Sequence, residues 1–280
     1  MLISDLQSRV QSLRSDLPAG YAEQALQDAA RWVARKTGII RTKVWGHASG
    51  GALTLDLPTF MGASAGEFEV LRPTEVMYLR GLYKTSVSLG VLTPTALTIP
   101  LATVATPYGF YVATVALAAS DGVTSYPMNQ GDVIQAVNGA WVITPYYKYS
   151  IAVDIKKGRL MRATAMPYNN VGYMSNYVVD KDTLYFSPVL TCDVPVSIEC
   201  SIVPKKEFDT VNFPVDAEDA IIYAAASQYL RMKNKSGGGA DLQLAMRYQD
   251  KAEGEVSLVR AIAEGGYGDS EMAPPPIFGR

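Results

Sequence analysis

The sequence is short of charge. Asp, Glu, Lys and Arg make up 19% of 280 residues, where about 25% is usual. Twenty-five basic residues face 27 acidic ones, for a net charge of −2. That balance excludes a nucleic-acid binder working by bulk positive charge. There are two cysteines, so this is no disulfide scaffold. Cys192 and Cys200 lie in one strand-like stretch, too far apart along it to bridge, and are expected as buried free thiols. There is one histidine, His47, and one His with two Cys cannot build an ordinary Cys/His zinc site. No apolar run approaches the roughly 20 residues that span a bilayer. The opening MLISDLQSRVQSLRSDLP lacks the basic and apolar blocks of a signal peptide, which points to the reducing cytoplasm. Walker, GxGxxG, HExxH, GxSxG and CxxC patterns are all missing. No metal, cofactor or catalytic residue is therefore expected, and the chain reads as a non-enzyme.

What is present is apolar and aromatic: 48% hydrophobic residues, with 17 tyrosines. That disorder cannot accommodate so much apolar content is clear. Low charge with many aromatics is the composition of interface cores. Ile3, Leu6, Val10, Leu13 and Leu17 have helical spacing, with Pro18-Ala19-Gly20 as the stop. YAEQALQDAARWVARK (21–36) predicts a second helix, buried along Ala22, Ala25, Leu26, Ala29, Trp32 and Val33 and stopped by Thr37-Gly38.

From 39 to 205 the period falls towards 2. Leu53, Leu55 and Leu57 alternate. Residues 67–71 and 76–82 predict two strands around Arg72-Pro73. Residues 177–180 and 183–187 predict a hairpin turning at Asp180-Lys181-Asp182. Val194 to Val203 alternates as a half-solvated strand should. Residues 97–146 contain only two charged residues, Asp121 and Asp132. They predict strands at 97–105 and 110–118 and a hairpin at Asn138-Gly139, together a self-contained inserted β module.

Helical patterning returns at Asp216, an expected N-cap, and runs to about Asn234. Ser236-Gly237-Gly238-Gly239 reads as a connector. Asp241 is expected to cap a last helix to about Glu264, striped by Leu242, Ala245, Met246, Gln249, Ala252, Val256, Val259 and Ile262. Three prolines make the remainder an extended arm. The predicted class is α+β. A helical domain (1–40 and 214–264) and an antiparallel β domain (41–96 and 147–213) carry the module (97–146) and the arm (265–280).

Acidic residues Asp154, Asp180, Asp182 and Glu199 fit turns or solvated faces better than a glycosidase pair. Basic clusters at Arg31, Arg35, Lys36, Arg41 and Lys43, at Lys156, Lys157, Arg159 and Arg162, and at Arg231, Lys233 and Lys235 fit ion pairs and helix ends better than phosphate contacts.

The order of these pieces resembles the head-to-tail adaptor (connector) proteins of short-tailed bacteriophages. The segments that carry it are LQSRVQSLRSDLP, AEQALQDAARWVARKTGIIRTKV, LTLDLP, EVMYLRGLYK, DTLYFSP, VSIECSIVPKKEFD and the long stretch from Asp216 to Glu264. They cover about 1–83 and 176–264. The 97–146 segment departs from that pattern and is similar to small β modules of other phage structural proteins.

The resemblance implies a ring, commonly of twelve copies, beneath the portal protein. Genomic DNA would pass through it without sequence-specific binding. The tail nozzle, and in some cases tail fibres, would dock on it. The location implied is the virion neck, after assembly in the host cytoplasm. With it go two sets of candidate residues. Ala273, Pro274, Pro275, Pro276, Ile277, Phe278 and Arg280 form an arm docking on the portal or a neighbour. Ala25, Ala29, Trp32, Tyr223, Tyr229 and Met246 form inter-subunit helix packing. The module is expected on the outer side of the ring. The other reading is a receptor- or carbohydrate-binding tail or fibre component.

Overall fold

The computed structural model describes residues 3–51, 54–62, 68–79, 86–154, 176–187, 190, 192–205, 214–233 and 239–265. The fold is α+β with mainly antiparallel sheets. The chain divides into two compact units. One takes Met1–Arg41, Glu67–Glu69 and Ile202–Arg280, the other Thr42–Gly66 and Val70–Ser201.

The first unit holds the N-terminal and C-terminal helices together. A short 3-10 turn, Ile3–Leu6, leads into α1, Gln7–Leu13. Leu6, Val10 and Leu17 are buried, while Leu13 is 39% exposed. Pro18 opens the next helix rather than stopping the last one. Its carbonyl accepts from the Tyr21 and Ala22 amides at 3.1 and 3.0 Å, and its own missing N–H is no loss at a helix start. Helix α2 therefore runs Ala19–Thr37. It ends as expected at Gly38, which takes a φ of 62° and donates to the Ala34 carbonyl. A left-handed residue after the last turn satisfies an orphan carbonyl at little cost only when it is glycine.

After the one-turn α3, Leu57–Phe60, the remaining helices are α4, Glu218–Lys233, and α5, Gly239–Gly265. Asp216 lies in a 3-10 turn, Val215–Ala217, ahead of α4. Asp241 sits in the first turn of α5 instead of before it. Helix α4 packs against α5, α2 and α1. Ala220, Ile221, Ile222, Ala224, Ala225, Ala226, Ser227 and Leu230 are all buried, so it is covered on nearly every side. Its small side chains let three neighbours approach closely. Helix α5 is about 40 Å long at 1.5 Å per residue and continues through Gly254 without a break.

Mostly within the second unit, β1 (Arg41–Ala48), β14 (Val194–Pro204), β3 (Phe68–Leu79) and β10 (Tyr149–Ile151) form a sheet in the order β1-β14-β3-β10. The two strands expected around Pro73 are one, β3. Proline lies inside it, beyond the Met77–Leu79 stretch that pairs with β10, and proline is tolerated in a strand where no ladder donor is needed. Strand β14 is not half-solvated. Val194 to Ser201 are buried except Glu199, with Ser197 and Ser201 as inaccessible as Ile198. As a central strand it is covered on both faces, which period-2 patterning alone does not reveal.

A second sheet orders β11 (Val153–Asp154), β12 (Asn176–Asp180), β13 (Thr183–Ser187) and β2 (Thr54–Asp56) as β11-β12-β13-β2. The β12–β13 hairpin turns at Lys181, whose φ is 57°. The Leu53–Leu57 alternation is cut short at Asp56. Its carboxylate accepts from the Thr59 amide at 2.9 Å and starts α3.

The inserted region differs from expectation in three ways. It begins earlier, because β4 (Val87–Leu92) pairs with β5 (Gly109–Ala113). Residues 97–105 are no strand, since the amides of Val104 and Ala105 both turn back to the Leu101 carbonyl. The 110–118 run splits into β5 and β6 (Leu117–Ser120), because Thr114 donates to the Leu92 carbonyl through both its amide and its hydroxyl. The hairpin at Asn138-Gly139 forms as expected, with φ values of 52° and 77°, the type I′ geometry. It joins β8 (Val133–Val137) to β9 (Ala140–Thr144). The module sheet is ordered β4-β5-β8-β9, and β6 pairs with β7 (Ser125–Met128).

One face of the module sheet packs Leu92, Ala113, Ile134, Ala136 and Trp141 against Ile99, Ala119 and Met128. Its other face presents Phe110, Val112 and Val133, each fully buried against Trp45 and Leu79 of the neighbouring sheet. The module is therefore not self-contained. Burying three such side chains at about 1.5–3 kcal/mol each requires the rest of the unit.

Candidate functional site

The residues expected to pack between subunits separate into those already used and those still free. Ala25 and Ala29 are at most 1% exposed inside the chain's own helices. That removes them as inter-subunit contacts, because the packing expected of them is made within one chain. Trp32 is half-buried. Tyr229 donates its hydroxyl to the Asp16 carbonyl at 3.0 Å. Tyr223 stacks on Tyr248 with centroids 6.1 Å apart and planes 16° from parallel. The Lys251 ammonium sits 5.1 Å from the Tyr223 ring centre, a cation–π arrangement. Met246 is 56% exposed, with Leu242 at 46% one helical turn earlier and Met232 at 45% on α4. Leu242 and Met246 share one side of α5. The Ser227 hydroxyl donates to the Ala245 carbonyl at 2.9 Å, fixing how α4 and α5 are matched in height. The arm residues Ala273 to Phe278 and Arg280 lie outside the described residues, as do Lys156, Lys157, Arg159, Arg162 and Lys235.

The basic residues that are described are largely committed. Arg31 pairs with Asp28, Arg35 with Glu69 at 2.8 Å, and Lys43 with Glu75 at 2.7 Å. Lys233 reaches Asp16 at 2.6 Å, where Arg14 also binds at 2.9 Å. Hydrogen bonds from Lys233 and then Arg14 hold the Asp16 carboxyl down at about 2. Arg9 pairs with Glu218 and Asp219. Glu199 accepts from the Thr74 hydroxyl at 2.7 Å, which gives that acidic residue a place in the sheet. Cys192 and Cys200 are free and buried. Burial, then the neighbouring Glu199, pushes the Cys200 thiol up to about 12. Among the described residues no group of three or more His, Cys, Asp or Glu is placed to hold a metal ion, and no helix is long and apolar enough to cross a membrane.

The joint between module and sheet is a built feature that the sequence reading missed. Trp45 projects from β1 and is 7% exposed. Tyr149 and Tyr146 meet its ring edge-on at 5.2 and 6.3 Å, and the Lys43 ammonium lies 5.3 Å from its centre. It presses on Gly131, where a Cβ would fall 2.6 Å from the indole and φ is +85°. Only glycine suits both conditions.

Two carboxylates fasten the chain on either side. Asp132 is buried, and its oxygens accept from the Asn129 amide at 2.7 Å and the Tyr146 amide at 2.9 Å. Asp193 accepts from the Gly50 and Ser88 amides, both at 2.7 Å. Burial and the charge of Asp132 raise the Tyr149 hydroxyl above its ordinary range. Nothing local in the sequence pairs Gly131 with a tryptophan about 85 positions earlier.

No protein-family model matches the chain, and no curated protein matches it.

Proposed function

We propose that this chain is a structural virion protein, a head-to-tail adaptor forming a closed ring of about a dozen copies under the portal protein of a tailed bacteriophage. In this reading it acts by assembly and not by catalysis. DNA passes through the ring, and the tail nozzle, with or without fibres, docks on it. The observation that carries the reading is the helical unit. The N-terminal helices α1 and α2 pack with the C-terminal helices α4 and α5 in one bundle, and Leu242 and Met246 remain exposed on one side of α5. An exposed apolar strip on an otherwise polar helix is suited to another protein surface. The committed state of Arg31, Arg35, Lys43 and Lys233 is compatible with a conduit that lets DNA slide, since free cations would bind phosphate and release counterions. The portal-docking arm at 273–280 and the outer placement of the module belong to the same proposal.

Negative-stain microscopy of the purified chain tests it. We expect rings with high rotational symmetry, and Met246→Glu should return them to smaller species. Particles that are trimeric and fibre-like would replace the adaptor reading with the receptor-binding one.

A further inference from the structure

The module sheet has two outer strands, and they are finished differently. On β4 the Ser88 amide is taken by the Asp193 carboxylate, the Ser86 carbonyl by the Asp193 amide, and the Gly90 amide by the Ser88 hydroxyl. The ladder also shifts between Ser88 and Gly90. A bulge and a capping carboxylate are common ways of closing an edge to other chains. On β9 neither is present. Its pairing with β8 matches Val137 to Ala140, Gln135 to Val142 and Val133 to Thr144 around a two-residue turn. In such a hairpin these pairs exchange hydrogen bonds, and the residues between them point their backbone groups the other way. Trp141 and Ile143 therefore turn N–H and C=O away from β8, and no backbone group among the described residues meets them. The strand AWVIT has no charge, proline or bulge. Val142 is 46% exposed.

We propose that β9 is a strand-addition edge and that its occupant is β9 of a second copy of this chain, running antiparallel. Such an edge dictates an extended backbone. Its surroundings dictate an uncharged one, because residues 87–147 carry only Asp121 and Asp132, Asp132 is buried, and Asp121 is occupied by the Val123 and Thr124 amides. A charged strand laid there would be desolvated without a partner. The β9 strand itself meets both conditions and is self-complementary. With Val142 opposite Val142, Ala140 falls opposite Thr144, and Trp141 and Ile143 exchange hydrogen bonds with Ile143 and Trp141 of the other copy. This two-fold contact satisfies both edges at once. It is separate from the cyclic contacts of a ring and goes beyond that reading.

The experiment is sedimentation equilibrium of the full chain over rising concentration, with amide hydrogen exchange at Trp141 and Ile143. We expect pairing through β9, of single chains or of assembled rings, that grows with concentration and slows exchange at those two amides. Val142→Lys sets like charges face to face and should weaken the dimer at least about tenfold without lowering the melting temperature. Val142→Thr keeps a neutral β-branched residue and should leave the dimer intact. A chain that stays monomeric, a dimer that survives Val142→Lys, or fast exchange at Trp141 and Ile143 within the dimer overturns the proposal. So does slow exchange that appears only when an unrelated protein is bound. A closed ring whose mass ignores Val142→Lys would overturn this pairing and leave the adaptor reading standing.

Discussion

The helical unit and the β module solve the same packing problem with opposite materials. The helical core is built of small side chains. Ala22, Ala25, Ala29, Ala30, Ala34, Ala220, Ala224, Ala225, Ala226, Ala245 and Ala252 are all buried, and its rim is laced with ion pairs such as Arg9–Glu218 and Asp16–Lys233. The module core rests on large side chains, with Phe110, Ile134 and Trp141 inside and Trp45 wedged beneath. Its rim is almost free of charge. Stability in the first is spread over many close backbone approaches. In the second it is concentrated in a few residues, so single substitutions should act very unequally on the two.

The largest effect is expected at Trp45. Trp45→Ala leaves a cavity under Phe110, Val112 and Val133, and large-to-small changes of this kind cost about 3–5 kcal/mol. Gly131→Ala strikes the same contact from the other side. Either change should separate thermal unfolding followed by circular dichroism into two steps, with the β signal lost first. A single unshifted transition would show that the joint contributes little.

Gly254 offers the contrasting case. A Cβ there meets nothing within 4 Å, so Gly254→Ala should stabilise α5 by about 0.5–1 kcal/mol through helix propensity. A rise in melting temperature confined to the helical signal is the expected result.

The smallest effect concerns acid. Asp16 has a lowered carboxyl in the folded chain. Its contribution is therefore complete above the unfolded value near 4 and is lost as pH falls towards about 2. The pair is well exposed, so its contribution to stability should be small. Asp16→Asn should flatten the acid limb of the helical unit between pH 4 and 2 and leave the module's transition in place. Equal flattening of both would erase the distinction between a charged rim and a neutral one.

What could be read from the sequence follows how local the cause is. Thr37-Gly38, Asn138-Gly139 and the Lys181 turn were legible because a backbone sign change within two residues carries its own signature. The helical stripes were legible for the same reason, although Leu242 and Met246 belong to the stripe's exposed margin. Pro73 misled because a proline tolerated inside one strand, β3, reads in sequence like a break between two. Ser197 and Ser201 misled because burial of a polar face depends on what covers it. The Trp45–Gly131 contact had no local trace, since its two halves meet only through the fold. Of the candidate residues, Met246 keeps an exposed position, while the alanines that look most like an interface are interior.

The pairing of Tyr149 with Leu79 bears on how such a chain can change over evolutionary time. The strand that precedes the module and the strand that follows it are direct neighbours, so residues 80–148 amount topologically to one very long loop closing a β3–β10 hairpin. Lengthening a loop costs only logarithmically in chain entropy. A segment with adjacent ends can thus be gained, exchanged or lost without re-threading the sheet. What constrains the exchange is the indole at position 45. Any replacement must bring its own apolar underside and a glycine to lie against it.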